Sequence, residues 1–164
     1  QVLNAVDHHD RLREKMAPLL GIMDYIFMDT GPSLDVLVVH SLTFADKVVI
    51  PCQTQYLSLD STDKLLTNVR RVQESYNPRL RVAGIIPTLY DGRLKHDNEM
   101  LQQIYTRYAQ YKIYPVIPRR SSLVEAVPQG LSIQEYKPNS DIALLYQNIA
   151  EDIVTTDLAE EAAA

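Results

Sequence analysis

Four short apolar runs, each closing on a proline or an acid, constrain this chain more than any other feature. They lie at 24–29 ("DYIFMD"), 47–51 ("KVVIP"), 81–87 ("RVAGIIP") and 112–118 ("KIYPVIP"). Between them the apolar residues recur at helical spacing: Leu65, Leu66, Val69, Val72 and Tyr76, then Met100, Leu101, Ile104, Tyr105 and Tyr108. Ile142, Leu145, Tyr146, Ile149 and Ile153 repeat the pattern near the end. These periods predict helices over about 60–76, 95–110 and 140–155. An opening helix through Leu3, Val6, Leu12, Met16 and Leu19 closes near Gly21, and another over 33–44 takes Ser33 as its cap. Strands separated by helices join through right-handed crossovers, so the sheet is parallel. The fold class is α/β, a parallel sheet flanked by helices on both faces. Residues 1–155 read as one such domain or part of one, and residues 156–164 as an acidic tail expected to be disordered.

With 164 residues, 46% of them apolar and 23% charged, the chain has the composition of a soluble globular domain. No apolar run approaches the 18 residues of a membrane span, and the opening "QVLNAVDHHD" lacks the apolar stretch of a signal peptide. The single cysteine, Cys52, excludes an internal disulfide and fits a reducing cytoplasm. The net charge of −5 is unevenly spread. Residues 60–130 carry 11 basic and 7 acidic side chains, and residues 131–164 carry 1 and 7. The basic middle permits a DNA-facing surface without establishing one.

In a parallel α/β sheet, ligands bind beyond the carboxyl ends of the strands. Four segments therefore frame the candidate site: 29–33, 51–55, 87–91 and 118–122. Asp29 is the most pointed residue, since a carboxylate at a strand end can hold the water shell of Mg²⁺; it can equally cap the following turn. Thr88 suits either a ligand contact or the start of a turn. Arg119 and Arg120 suit phosphate or DNA, or plain solvation. Arg93 and Lys95 stand at the start of a helix, against its macrodipole, which hints at an outside anionic partner. His8 and His9 have no further ligands at zinc spacing, Cys52 has the character of a small buried residue, and Ser33 lacks the glycines of a hydrolase elbow. The five glycines are scattered and none precedes a lysine, so these residues hold no phosphate loop.

Four segments, in order and in spacing, resemble the ParA family of partitioning ATPases, in the deviant Walker A class that includes MinD. They are "YIFMDTGPSLDVL", "LTFADKVVIPCQTQYLSL", "TLYDGR" and "VIPRRSSLVEAVPQGLSIQEYKPNS", and the likeness spans residues 15 to 155. The resemblance implies a P-loop NTPase-like fold, incomplete at the N-terminus, because the family's Lys-Gly-Gly-x-Gly-Lys-Thr loop precedes everything seen here. It implies ATP and Mg²⁺ as cofactors, with Asp29 acting on the metal through water and Thr30, Gly31 and Pro32 in the switch. Thr88, Pro118 and Arg119 would border the adenine. Arg93 matches an arginine linked to nonspecific DNA binding, with Arg119 and Arg120 as further DNA contacts. Ser122 stands where the family carries a second DNA-linked arginine, and Arg120 would substitute for it.

The partners so implied are a second copy in an ATP-sandwich dimer, nonspecific DNA at the nucleoid of the cytoplasm, and a ParB-like activator. MinD-like members end in a basic membrane helix, whereas residues 155–164 hold three acids and no base, so a membrane is not expected. The chain alone is expected to be inactive and, lacking a neighbouring strand, marginally stable. The alternatives are a relative without a phosphate loop that serves as a non-catalytic interaction module, and an ATPase of this type that positions a protein cargo.

Overall fold

A computed structural model describes residues 9–31 and 36–162. Its elements run α1 (His9–Met16), α2 (Val36–Phe44), β1 (Lys47–Gln53), α3 (Tyr56–Ser75), β2 (Arg81–Thr88) and α4 (Lys95–Arg107). There follow α5 (Ser121–Ala126), a 3-10 turn (Val127–Gln129), α6 (Ile133–Tyr136) and α7 (Asp141–Ala162). β1 and β2 pair in parallel: Arg81 N–H donates to the Asp46 carbonyl at one end, and Thr54 N–H to the Thr88 carbonyl at the other. Residues 112–118 lie along β2 through parallel bridges at Ile85–Ile113 and Tyr90–Pro118. The architecture is thus the parallel α/β sheet with flanking helices that the alternation of runs predicts.

The chain divides into two compact units, the described residues of Gln1–Val48 with Ser61–Val82, and those of Val49–Asp60 with Ala83–Ala164. In the first, Val38, Val39 and Leu42 of α2 pack with Val69 and Val72 of α3 and with Leu80. The Asn77 amide donates to the Leu42 and Ala45 carbonyls (3.0 and 2.7 Å), occupying acceptors that the end of α2 leaves open. In the second, Tyr114 and Ile117 pack with Ile133 of α6 and with Ile142, Ala143 and Ile149 of α7. α6 starts with a capping box, Ser132 and Glu135 each bonding the other's backbone N–H.

Several expectations change. Among the described residues no strand is formed over 24–29, where Tyr25 and Phe27 are 42% and 84% exposed. A strand exists only where a neighbour accepts its backbone bonds, which apolar residues alone do not guarantee. Over 112–118 the expected strand is reduced to isolated bridges, because Pro87 of β2 has no N–H to give and the donors facing β2 lie three residues apart, out of the two-residue period of a ladder. Tyr114 and Ile117 supply those donors, to Ile85 and Pro87 (2.9 and 2.8 Å).

Conversely, Pro51 does not end β1, which runs to Gln53. The even-numbered Asp46 and Thr54 bond β2, so the missing N–H of Pro51 falls on the other edge. α3 starts four residues early, at Tyr56, and α7 continues to Ala162, through most of the expected tail. Ser33 and Pro32 lie outside the described residues.

Gly84 sets the spacing between β2 and residues 112–114. A Cβ there would meet Tyr114 Cε2 at 2.5 Å and the Lys112 carbonyl at 2.8 Å. Gly84→Ala is expected to lower stability by about 1–3 kcal/mol, the usual cost of overpacking, as read by urea denaturation.

Candidate functional site

At the carboxyl end of β2 the second unit gathers the ends of three chain segments. Thr88 is held through its carbonyl by Thr54 N–H at 3.1 Å, and Tyr90 through N–H···O bonds with Ile117 (3.3 Å) and Arg119 (2.8 Å). Pro118 and Arg119 thereby lie alongside Tyr90, two residues beyond Thr88. Between Thr88 and Tyr90, Leu89 has φ +57°, a left-handed conformation that costs a side-chain-bearing residue about 1–2 kcal/mol. The surrounding bonds hold it there.

A buried acid that sequence reasoning missed completes the arrangement. Asp97, in the first turn of α4, is 5% exposed, and its Oδ2 accepts from the Thr54 hydroxyl (3.2 Å) and from Asp91 N–H (2.8 Å). The signal available in the sequence was an acid in a helix's first turn, where the macrodipole favours it. Nearby, Tyr90 O–H donates to Asn98 Oδ1 at 2.7 Å, and the Asn98 amide donates to the Gly92 and Leu94 carbonyls.

The arginines differ in their surroundings. Arg93 forks onto Asp91 through Nε (2.9 Å) and Nη2 (2.7 Å), with its side chain 90% exposed. Arg120 forks onto Asp141 through Nε (3.1 Å) and Nη2 (2.5 Å). Both are therefore paired at home before any anion is met. Arg119 is exposed and lies close enough to Asp91 to favour its charged form. Ser122 is buried, so the position of the resemblance's second arginine does not reach the surface here.

In the first unit, Asp29, Thr30 and Gly31 are exposed and line an open recess of about 340 Å³ with Leu12, Met16, Met28, Leu37, Val38 and Ser41. Its lining is mostly apolar, with Asp29, Thr30 and Ser41 as polar side chains. Pro32 lies outside the described residues. Among those residues no three His, Cys, Asp or Glu side chains cluster as metal ligands. Among the described residues that line the recess, Asp29 brings the carboxylate.

Residues 1–82 match a family described as AAA domain. The chain is 36% identical over 155 residues to the chromosome-partitioning ATPase Soj of Treponema pallidum, covering 93% of this chain and 61% of that protein. Among solved structures it is similar to cobyrinic acid a,c-diamide synthase from Mycobacterium smegmatis with bound ADP and magnesium. The TM-score is 0.71 at 29% identity, over 90% of this chain and 54% of that one. Apo McdA from Cyanothece gives a TM-score of 0.79 over 92% of this chain and 61% of that one; at 19% identity this is a likeness of fold. The chain spans about half the length of the curated relatives it matches.

The hydrogen bonds from Arg93 are the main reason the Asp91 carboxyl is lowered from 3.8 to about 2. A carboxyl held low contributes stability that is fully present above its unfolded value and is lost as pH falls toward 2. Carbon-detected NMR titration is expected to place Asp91 near 2, and Arg93→Ala to return it toward 3.8.

Proposed function

Because the chain belongs to the ParA/Soj-type ATPases of the AAA domain family, we propose that it forms the part of a partitioning ATPase that reads the nucleotide's base and meets DNA. The protein dimerises with ATP and Mg²⁺, binds DNA nonspecifically at the nucleoid in the cytoplasm, and drives DNA partitioning or cargo positioning with a ParB-like activator. The observation that carries this reading is the junction of Thr88, Pro118 and Arg119 at the carboxyl end of β2. That edge is where open α/β sheets bind ligands.

In this reading Thr88 and the Pro118–Arg119 backbone border the adenine. The bonds on Tyr90 fix both segments, so the base meets a surface that needs little ordering on binding. Asp29 holds the water shell of the magnesium ion, and Thr30, Gly31 and Pro32 move with it as the switch. Mg²⁺, when bound, supplies charge neutralisation between the phosphates. Hydrolysis further requires a phosphate loop, which these 164 residues do not contain. Arg93, Arg119 and Arg120 meet DNA phosphates, two of them by exchanging a carboxylate partner for a phosphate. No helix among the described residues is long and apolar enough to cross a membrane.

The test is DNA binding by the protein extended upstream to include the family's phosphate loop. Binding is expected only with ATP and Mg²⁺, weakening steeply with salt. Arg93→Ala with Arg119→Ala and Arg120→Ala is expected to flatten the salt dependence by about one power of salt concentration for each phosphate no longer neutralised. Binding indifferent to nucleotide, or unchanged in the triple variant, rejects the reading and favours a non-catalytic interaction module.

A further inference from the structure

We infer that Asp97 is a positioning residue for the ligand-facing loop 88–93, fastening that loop to the end of β1 through a single oxygen. This rests on the nucleotide reading of the loop given above. A buried acid must be matched by donors, since burying it without them costs several kcal/mol. Asp97 takes two donors, and both reach Oδ2: the Thr54 hydroxyl just beyond β1 and the Asp91 N–H within the loop. Thr54 is itself 1% exposed and also gives its backbone N–H to the Thr88 carbonyl. The carboxyl therefore ties β1, the loop and α4 at one point.

What it fastens is a loop that would not hold its shape unaided. Leu89 occupies the left-handed region, and such strain persists only where neighbours over-determine the backbone. Thr88 is secured from one side by Thr54, Tyr90 from the other by Ile117 and Arg119, and Asp91 by Asp97. Releasing Asp91 removes the bond that ties the second half of the loop to β1, leaving it held only from the α4 side, by Asn98 on the Gly92 carbonyl and by Leu94 N–H on the Asp91 carbonyl. Asp97 touches no ligand in this scheme; it acts through Thr54 and Asp91.

Because one oxygen serves both donors, an amide oxygen can replace it. Asp97→Asn is expected to preserve the arrangement and Asp97→Ala to abolish it. Amide hydrogen exchange on this chain gives the first readout. The Asp91 N–H is expected to exchange at least tenfold faster in Asp97→Ala, with Tyr114 N–H unchanged and Asp97→Asn near the unsubstituted protein. The second readout is ATP affinity, with Mg²⁺, of the protein carrying the upstream phosphate loop. Asp97→Ala is expected to weaken it at least tenfold and Asp97→Asn less than twofold.

An unchanged Asp91 exchange rate in Asp97→Ala overturns the inference, as does unchanged ATP affinity in a protein that binds ATP. If Asp97→Ala does not fold, Thr54→Val decides: a several-fold change in both readouts supports the inference and no change in either overturns it. An unsubstituted protein with no ATP affinity refutes the nucleotide reading, and with it the purpose given to Asp97. Asp91 exchange then still decides separately whether Asp97 fastens the loop.

Discussion

Along β2 the backbone turns alternately to two neighbours. Thr88 faces β1 and receives the Thr54 N–H, whereas Ile85 and Pro87 receive N–H groups from Tyr114 and Ile117. Because all three segments run parallel, their carboxyl ends arrive at the same edge, and their loops have no choice but to meet there. Thr54, the 88–93 loop and the 118–120 segment are neighbours for this reason. A slip of one residue in either pairing would turn Thr88 away from Thr54 and carry Pro118 past Tyr90. The register of β2 is thus the constraint from which the candidate site follows.

Polar groups around that edge are of two kinds. Asp97 and Thr54 are buried and bonded to each other, so they contribute rigidity and lose it together. The Arg120–Asp141 pair is exposed, where such pairs add little to stability, whereas Arg93 is exposed over an Asp91 that is only 19% exposed. Arg93 nevertheless holds Asp91 firmly enough to keep its carboxyl charged well below the usual range, while the guanidinium itself stays exposed. The edge thus combines buried, mutually bonded polar groups with arginines that reach solvent.

Much of this was legible in the residues. Helical spacing in Leu65 to Tyr76 and in Met100 to Tyr108 identified α3 and α4, and the alternation of runs gave the parallel sheet. The strand-end rule placed Thr88, Pro118 and Arg119 at one edge. What stayed hidden depended on partners rather than on local pattern. The run at 24–29 has the composition of a strand, but composition does not supply the neighbour a ladder needs. Pro87 removed a donor from β2 on the side of residues 112–118, while Pro51 in β1 did no harm because of the edge it faces. Asp97 resembled any helix-initiating acid, and only the fold brings Thr54, 43 residues away, to its side. The pairing of Arg120 with Asp141 was equally invisible, spanning 21 residues.

The central claim is that the ligand edge of β2 faces an adenine nucleotide. Photolabelling with 8-azido-ATP in the presence of Mg²⁺, on the protein carrying the upstream phosphate loop, followed by peptide mapping, tests it most directly. The account predicts ATP-competable label on the peptides containing residues 88–93 and 118–120. Competable label confined to other peptides, or label that excess ATP does not displace, would contradict it.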